Sequence, residues 1–348
     1  MFYLVYPVKI MKEIPLKLLI KTITLKRLWN AGLAVTSYFL SGVLKRNFVW
    51  GRPFILTVEP TNICNLKCPL CVTGNGKMSR KAGLLDFETF KKIIDQSGYY
   101  LFYLLLYQQG EPYINKDFLR FVEYAKNKRI FVTTSTNAHY LDPETAQRTV
   151  TSGLDSIIVS IDGSDQGSYE SYRVDGNLEK VKKGVQNLVR EKIKQNSKTP
   201  LIYIQFIVMR HNEHQIGEME KLTKDLGADK LLIKTVQVET LKEAKEWLPG
   251  EKDLRRYQLE GDLLKPKRVG AGPCPRPWTS SLVNWDGSVV PCCFDKNAHH
   301  KFGSVQVEKE FDKIWRSKKY GNFRTKMLTD RSSLDICSNC SQGLRLYL

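Results

Sequence analysis

No cysteine lies between Cys71 and Cys274; all eight fall in two groups, Cys64 to Cys71 and Cys274 to Cys340. A secreted disulfide framework scatters its cysteines, so this grouping excludes that class and points to thiols kept reduced in a cytoplasm. Acid is scarce as well. In the first fifty residues Lys9, Lys12, Lys17, Lys21, Lys26, Arg27, Lys45 and Arg46 face the single acid Glu13, and over the whole chain 54 basic residues outnumber 36 acidic ones for a net charge of +18. That balance favours an anionic partner, such as phospholipid, a phosphorylated substrate, nucleic acid or an acidic peptide. No module motif for RNA accompanies the charge, which spreads over the chain, so no nucleic-acid partner is expected. The five histidines form no HExxH or triad pattern. A cleaved signal peptide is not expected, because the apolar run begins late and no small-residue cleavage pattern follows it.

What is present suffices for a full core: 42% of the 348 residues are hydrophobic and 26% charged, which fits one large domain plus a smaller one. From Phe54 to about Thr235 short apolar runs alternate with helix-period segments, the pattern of βα units on a parallel sheet. The expected strands are Phe54 to Val58, Leu101 to Tyr107, Ile130 to Thr134, Ser156 to Ile161, Leu201 to Val208 and Lys230 to Thr235. Helices are expected over Phe87 to Gln96, Phe118 to Asn127, Pro143 to Ser152, Leu178 to Lys194 and Gln215 to Leu226. Asp86 and Asp142 supply N-caps, and Gly153 and Gly227 supply stops. The fold class is therefore α/β, a partial (βα)6 TIM-like barrel over residues 51–247, with ligands expected at the carboxyl ends of its strands.

Residues 1–50 form a basic, amphipathic helical extension. Leu28 to Leu44 holds seventeen uncharged residues, with Trp29, Tyr38 and Phe39 but also Asn30, Ser37 and Ser41, too few and too polar for a spanning helix of about twenty apolar residues. Two placements fit: a helical pair packed on the outside of the main domain, since such amphipathic patterns usually face a core, or a helix lying on a membrane surface. Residues 248–348 read as a charged, proline-bearing connection into a small cysteine-containing domain.

The chemistry concentrates in Cys64-Asn65-Leu66-Lys67-Cys68-Pro69-Leu70-Cys71, directly after the first strand. Gaps of three and two residues let one loop aim three sulfurs at one point, and soft sulfur selects zinc, copper(I) or an iron–sulfur cluster. Three protein ligands leave one metal position open, and a closed zinc site needs a fourth ligand that the loop lacks. With its Glu59-Pro60-Thr61-Asn62 lead-in, the loop resembles the CxxxCxxC signature of the radical S-adenosylmethionine (radical SAM) superfamily. The resemblance implies a 4Fe-4S cluster at Cys64, Cys68 and Cys71 whose open iron binds S-adenosylmethionine, which is cleaved reductively to a 5′-deoxyadenosyl radical.

Later strand ends extend the resemblance. Gln108-Gln109-Gly110-Glu111-Pro112 resembles the family's GGEP motif, with Gln109 in place of the first glycine, and implies Gln109, Gly110, Glu111 and Pro112 at the ammonium of S-adenosylmethionine. Thr134-Ser135-Thr136-Asn137 is similar to the family's turn near the ribose, giving Ser135 and Asn137. Ser160-Ile161-Asp162-Gly163 and Tyr172-Arg173 are similar to the segment that contacts ribose and carboxylate, giving Ser160, Asp162 and Arg173. No acid or base that completes the reaction is legible.

The tail carries Cys274, a hairpin from Leu282 to Val290 turning at Asp286-Gly287, then Pro291-Cys292-Cys293, a helix around Phe311 to Thr329, and Cys337-Ser338-Asn339-Cys340. A structural four-cysteine zinc site is one reading. The tail also resembles the SPASM and shorter "twitch" extensions of radical SAM enzymes. That implies one auxiliary 4Fe-4S cluster on Cys274, Cys292, Cys337 and Cys340, used in electron transfer, with Cys293 spare or replacing Cys292. The resemblance implies an oxygen-sensitive radical SAM oxidoreductase or related enzyme, fed electrons by a donor such as flavodoxin or ferredoxin. A sugar, cyclitol or lipid-linked group is the expected substrate, from the twitch spacing and the basic extension. The alternatives are a ribosomally made peptide and, in another class, a non-catalytic metal- or RNA-binding scaffold. The expected location is cytoplasmic, peripheral at a membrane if the extension binds one.

Overall fold

The computed structural model describes residues 18, 20–267, 273–308, 310–338 and 340. In chain order its helices and strands begin with α1 (Leu25–Leu44), β1 (Ile55–Val58), α2 (Phe87–Ser97), β2 (Tyr103–Leu105), α3 (Phe118–Asn127), β3 (Phe131–Thr136), α4 (Pro143–Thr151) and β4 (Ser156–Ser160). They continue with α5 (Gln166–Tyr172), α6 (Leu178–Lys194), β5 (Leu201–Val208), α7 (Ile216–Asp225), β6 (Lys230–Thr235), α8 (Leu241–Trp247), β7 (Tyr257–Glu260) and β8 (Leu263–Pro266). The tail holds α9 (Arg276–Thr279), β9 (Ser280–Val283), β10 (Ser288–Val290), β11 (Gly303–Ser304), α10 (Phe311–Trp315), α11 (Lys318–Thr329) and α12 (Asp335–Ser338). All six expected βα strands form, β5 and β6 with the expected bounds. The described chain divides into two compact units, one of residues 64–77 and 134–267, the other of residues 18–63, 78–133 and 273–340.

In the first unit β4, β5 and β6 pair in parallel, Ser156 opposite Leu201 and Tyr203 opposite Lys230. Strand β4 is buried along its whole length, as a parallel strand covered on both faces must be. The region expected as a linker after residue 248 has more structure than its charge suggested. It contains the antiparallel pair β7–β8, and it follows α8, whose Thr240 and Glu243 form a reciprocal capping box.

In the second unit β3 pairs in parallel with β2 through Phe131, β2 with β1, and β1 on its other side with β9. The tail thus adds a parallel strand, with Ile55 opposite Ser280, and then reverses into β10 and β11. The expected helix over Phe311 to Thr329 is two, because Ser317 breaks it and caps α11 by accepting from the Tyr320 amide. Within this unit the indoles of Trp278 and Trp315 donate to the carbonyls of Phe48 and Gly51 at 3.0 Å each. The guanidinium of Arg324 lies over the rings of Trp315 and Tyr320 and donates to the Pro277 and Trp315 carbonyls.

Helix α1 packs the opposite way from a core-facing amphipathic helix. Its buried residues are Arg27, Asn30, Ala34, Ser37 and Ser41, a polar and small stripe at heptad spacing. Asn30 exchanges two hydrogen bonds with the Arg52 backbone, and Ser37 and Ser41 accept from the amides of Trp50 and Phe48. Arg27 donates to the carbonyls of Thr22, Gly98, Lys128 and Arg129, the last three at the ends of α2 and α3 where helix dipoles favour a cation. The helix does pack on the domain, one of the two placements expected from sequence, but through its polar stripe rather than its apolar one. Among the described residues no helix is long and apolar enough to cross a membrane.

Candidate active site

The first cysteine group is held by its own loop. The Cys71 amide donates to the Cys68 carbonyl, the Asn75 amide to the Cys71 carbonyl, and the Asn75 side chain to the Pro69 carbonyl, closing a turn around the sulfurs. Gly74 makes this possible: a Cβ there would lie 2.5 Å from the Cys68 amide nitrogen, so only glycine lets the strands of the loop meet. Lys67 donates its amide to the Val174 carbonyl, tying the loop to the segment after α5. Cys68 is buried with Leu66 among Tyr172, Met209, Val236 and Trp247, and Cys64 and Cys71 pack against that apolar cluster.

Three nitrogen donors converge on these sulfurs. The Leu66 amide and the Asn137 side-chain amide lie 3.5 and 3.8 Å from the Cys64 Sγ, and Arg173 Nη1 lies 3.9 Å from the Cys68 Sγ. Burial pushes the Cys68 thiol up, and the Arg173 charge opposes the shift. Arg173 is itself fixed by Asp162, whose Oδ2 takes both Nε and Nη2 at 2.6 Å while Oδ1 accepts from the Ile207 amide. Burial disfavours the guanidinium charge, but Asp162 and the Cys68 sulfur outweigh it and hold the Arg173 pKa well above its ordinary value. Asp162 therefore has both oxygens engaged within the protein, and it acts on its surroundings through Arg173.

Asn137 is placed as the sequence suggested, at the end of β3, and also donates to Asn65 at 2.8 Å. His139, which no sequence pattern singled out, accepts from the Asn177 amide at Nε2 and has Nδ1 3.0 Å from the Asn137 carbonyl. That arrangement requires neutral imidazole with the proton on Nδ1. Ser135 is half-buried in β3, and Ser160 is buried at the end of β4 opposite Gln205.

In the second unit Gln109-Gly110-Glu111-Pro112 makes a sharp turn. Gly110 has φ +71°, and a Cβ there would meet the carbonyl oxygens of Ile63 and Thr61 at 2.6 and 2.7 Å. The Glu111 amide donates to the Ile63 carbonyl, and one Glu111 carboxylate oxygen caps the short helical turn at Pro112–Ile114 by accepting from the Tyr113 amide. In the same unit the fully buried Glu59 is clasped by Arg80 through two parallel hydrogen bonds of 2.7 Å, and Arg80 Nε donates to the Lys296 carbonyl. Sequence reasoning missed Arg80. The available signal was Glu59 itself, since a carboxylate at the end of a buried strand must find a cation.

The tail cysteines gather around one cavity lined by Cys274, Cys292, Cys337 and Cys340 together with Phe294, Phe323 and Met327. Cys293 does not line it; its sulfur accepts from Arg276 Nη1 at 3.3 Å and its carbonyl from Gln108. Burial raises the thiols of Cys274 and Cys292, with Arg276 opposing, and lifts Cys337 to about 11, with Arg331 opposing. Both terminal nitrogens of Arg331 are buried without a hydrogen-bond partner. An anionic sulfur cluster supplies the acceptors such a cation lacks, so the four cysteines and Arg331 fit an iron–sulfur centre. Among the described residues no three Cys, His, Asp or Glu side chains converge closely enough for a single metal ion.

Two family models match: the radical SAM superfamily over residues 58–223, and SPASM, an iron–sulfur cluster-binding domain, over residues 274–341. Among curated proteins the chain is similar to the mycofactocin maturase MftC of Mycobacterium tuberculosis, 25% identical over 313 residues covering 83% of this chain and 75% of the relative. It is also similar to the PqqA peptide cyclase of Bradyrhizobium diazoefficiens, 23% identical over 293 residues covering 77% of this chain and 74% of the relative. Among solved structures SuiB of Streptococcus suis bound to S-adenosylmethionine superposes with a TM-score of 0.63 at 16% identity, covering 87% of this chain and 75% of SuiB. That likeness supports the α/β fold with its parallel strands. The two matched families imply a 4Fe-4S cluster with S-adenosylmethionine and an auxiliary iron–sulfur centre. With both models matched in the expected order, the chain carries a radical S-adenosylmethionine domain over residues 58–223 and a C-terminal SPASM domain over residues 274–341.

Proposed function

We propose that this chain is a peptide-modifying radical enzyme, in which Cys64, Cys68 and Cys71 hold the cluster that binds S-adenosylmethionine and Cys274, Cys292, Cys337 and Cys340 hold the auxiliary cluster. When bound, these groups supply a hydrogen-abstracting 5′-deoxyadenosyl radical and a route for one electron. The observation that carries the reading is the set of N–H donors on the Cys64 and Cys68 sulfurs, an outer shell of the kind that tunes a sulfur-ligated centre. Arg173, held by Asp162, would offer a fixed cation to the carboxylate of the cosubstrate. Asn137 and Ser160 would serve the ribose with Ser135, and the Gln109-to-Pro112 turn the ammonium. The apolar packing of Tyr172, Met209 and Trp247 on the loop keeps water from it.

The relatives favour a peptide over the sugar, cyclitol or lipid-linked group expected from the sequence. One is by its name a peptide cyclase, and SuiB is also known in a structure bound to its precursor peptide SuiA, at a TM-score of 0.56. A lipid-linked substrate remains the second reading, favoured by the exposed apolar face of α1. A low-potential donor such as flavodoxin or ferredoxin would supply the reducing electron. The test incubates reconstituted protein with S-adenosylmethionine and a reductant, offering short peptides encoded beside its gene in one arm and polyprenyl-linked sugars in the other. A mass change in a peptide with stoichiometric 5′-deoxyadenosine supports the reading, and turnover of the lipid-linked sugar alone overturns it.

A further inference from the structure

Helix α1 turns its polar face inward and its apolar face outward. Leu25, Leu28, Trp29, Phe39, Val43 and Leu44 are 87%, 50%, 72%, 52%, 78% and 54% exposed, and they follow one side of a helix about 30 Å long. Soluble proteins rarely leave such a stripe bare, and here the opposite face is already consumed by the hydrogen bonds of Arg27, Asn30, Ser37 and Ser41. The ends of the stripe are cationic: Lys21, Lys26, Lys45 and Arg46 are all exposed, and residues 14–50 contain no acid. Trp50, 46% exposed, adds a second indole beyond the helix end. We propose that α1 is an interfacial helix that docks this protein on an anionic phospholipid surface, with its apolar stripe in the acyl boundary and its cations at the headgroups.

The charge decides the occupant. A second copy of the chain seated on the stripe would bring two cationic collars together, whereas anionic lipid neutralises them. The helix is too polar to span, which leaves the interfacial plane. On its inner side Tyr38 of α1 donates to the Pro273 carbonyl at 2.8 Å. This inference does not depend on the peptide reading.

The experiment is cosedimentation of the full-length protein with phosphatidylcholine vesicles, with and without phosphatidylglycerol, at low and high salt. Binding is expected only with phosphatidylglycerol, falling as salt rises. Because each cation near such a surface changes partition about fivefold, Lys45→Glu with Arg46→Glu should weaken binding more than tenfold. Trp29→Glu with Phe39→Glu should do the same without lowering Tm, since both side chains face solvent. Ile193→Glu, an exposed apolar residue of α6 (76%), should change nothing. Indifference to phosphatidylglycerol, unaltered binding in both double variants, or a dimer that the stripe variant dissociates would each overturn the proposal. If the stripe variant fails to fold, the charge-reversal variant and the salt series decide.

Discussion

Asp162 and Arg173 show how much depends on single pairs. The carboxylate is fully buried and the guanidinium nearly so, and removing one partner strands the other away from water. Asp162→Asn is expected to cost about 3–5 kcal/mol in urea unfolding, and a site that still bound cosubstrate normally would contradict its role in fixing Arg173. Gly110→Ala must place a side chain at φ +71° against two carbonyl oxygens. It should lose about 1–3 kcal/mol together with binding of S-adenosylmethionine, measured by equilibrium dialysis. His139 makes a pH prediction. Burial lowers its pKa, so below the ordinary value of about 6.5 the unfolded chain binds a proton that the folded one refuses. Stability is therefore intact above that pH and falls as acid approaches the lower folded value, and His139→Gln should flatten the profile of urea midpoints between about pH 7.5 and about pH 5.5. The grouping of the cysteines was legible in the sequence because their spacing is local, whereas Gly110 entered through its resemblance to the GGEP motif. The Glu59–Arg80 clasp was not legible, since nothing local pairs residues so far apart in the chain.

Among elements, the strands β5 and β6 were legible to the residue because continuous apolar runs bounded by breakers leave little freedom of register. The orientation of α1 was not. Its apolar stripe invites burial, and only the polar stripe of Asn30, Ser37 and Ser41, whose partners are backbone atoms of 48–52, reverses it. The capping box at Thr240 and Glu243 was there to be seen, masked by the charge of the segment around it. Arg27 is the test of α1 as a structural element. Arg27→Ala leaves buried carbonyls at the ends of α2 and α3 without their donor, and should destabilise by at least about 2 kcal/mol. An unchanged unfolding midpoint would show that the helix is not anchored there.

At the scale of the whole molecule, the proposed function makes the two cysteine groups two separable centres. Cys292 lines the tail cavity and Cys293 does not, a choice the sequence left open. The spacing of neighbouring cysteines cannot say which sulfur turns inward. Cys292→Ala is expected to remove one cluster and Cys293→Ala neither. The most direct measurement of the account is iron and 5′-deoxyadenosine in the same anaerobic preparation. The wild-type chain should hold about eight irons, fall to about four in both Cys68→Ala and Cys292→Ala, and release 5′-deoxyadenosine from S-adenosylmethionine unless Cys68 is replaced. A colourless protein that binds zinc at these cysteines, or one that forms 5′-deoxyadenosine equally well without Cys68, would contradict it.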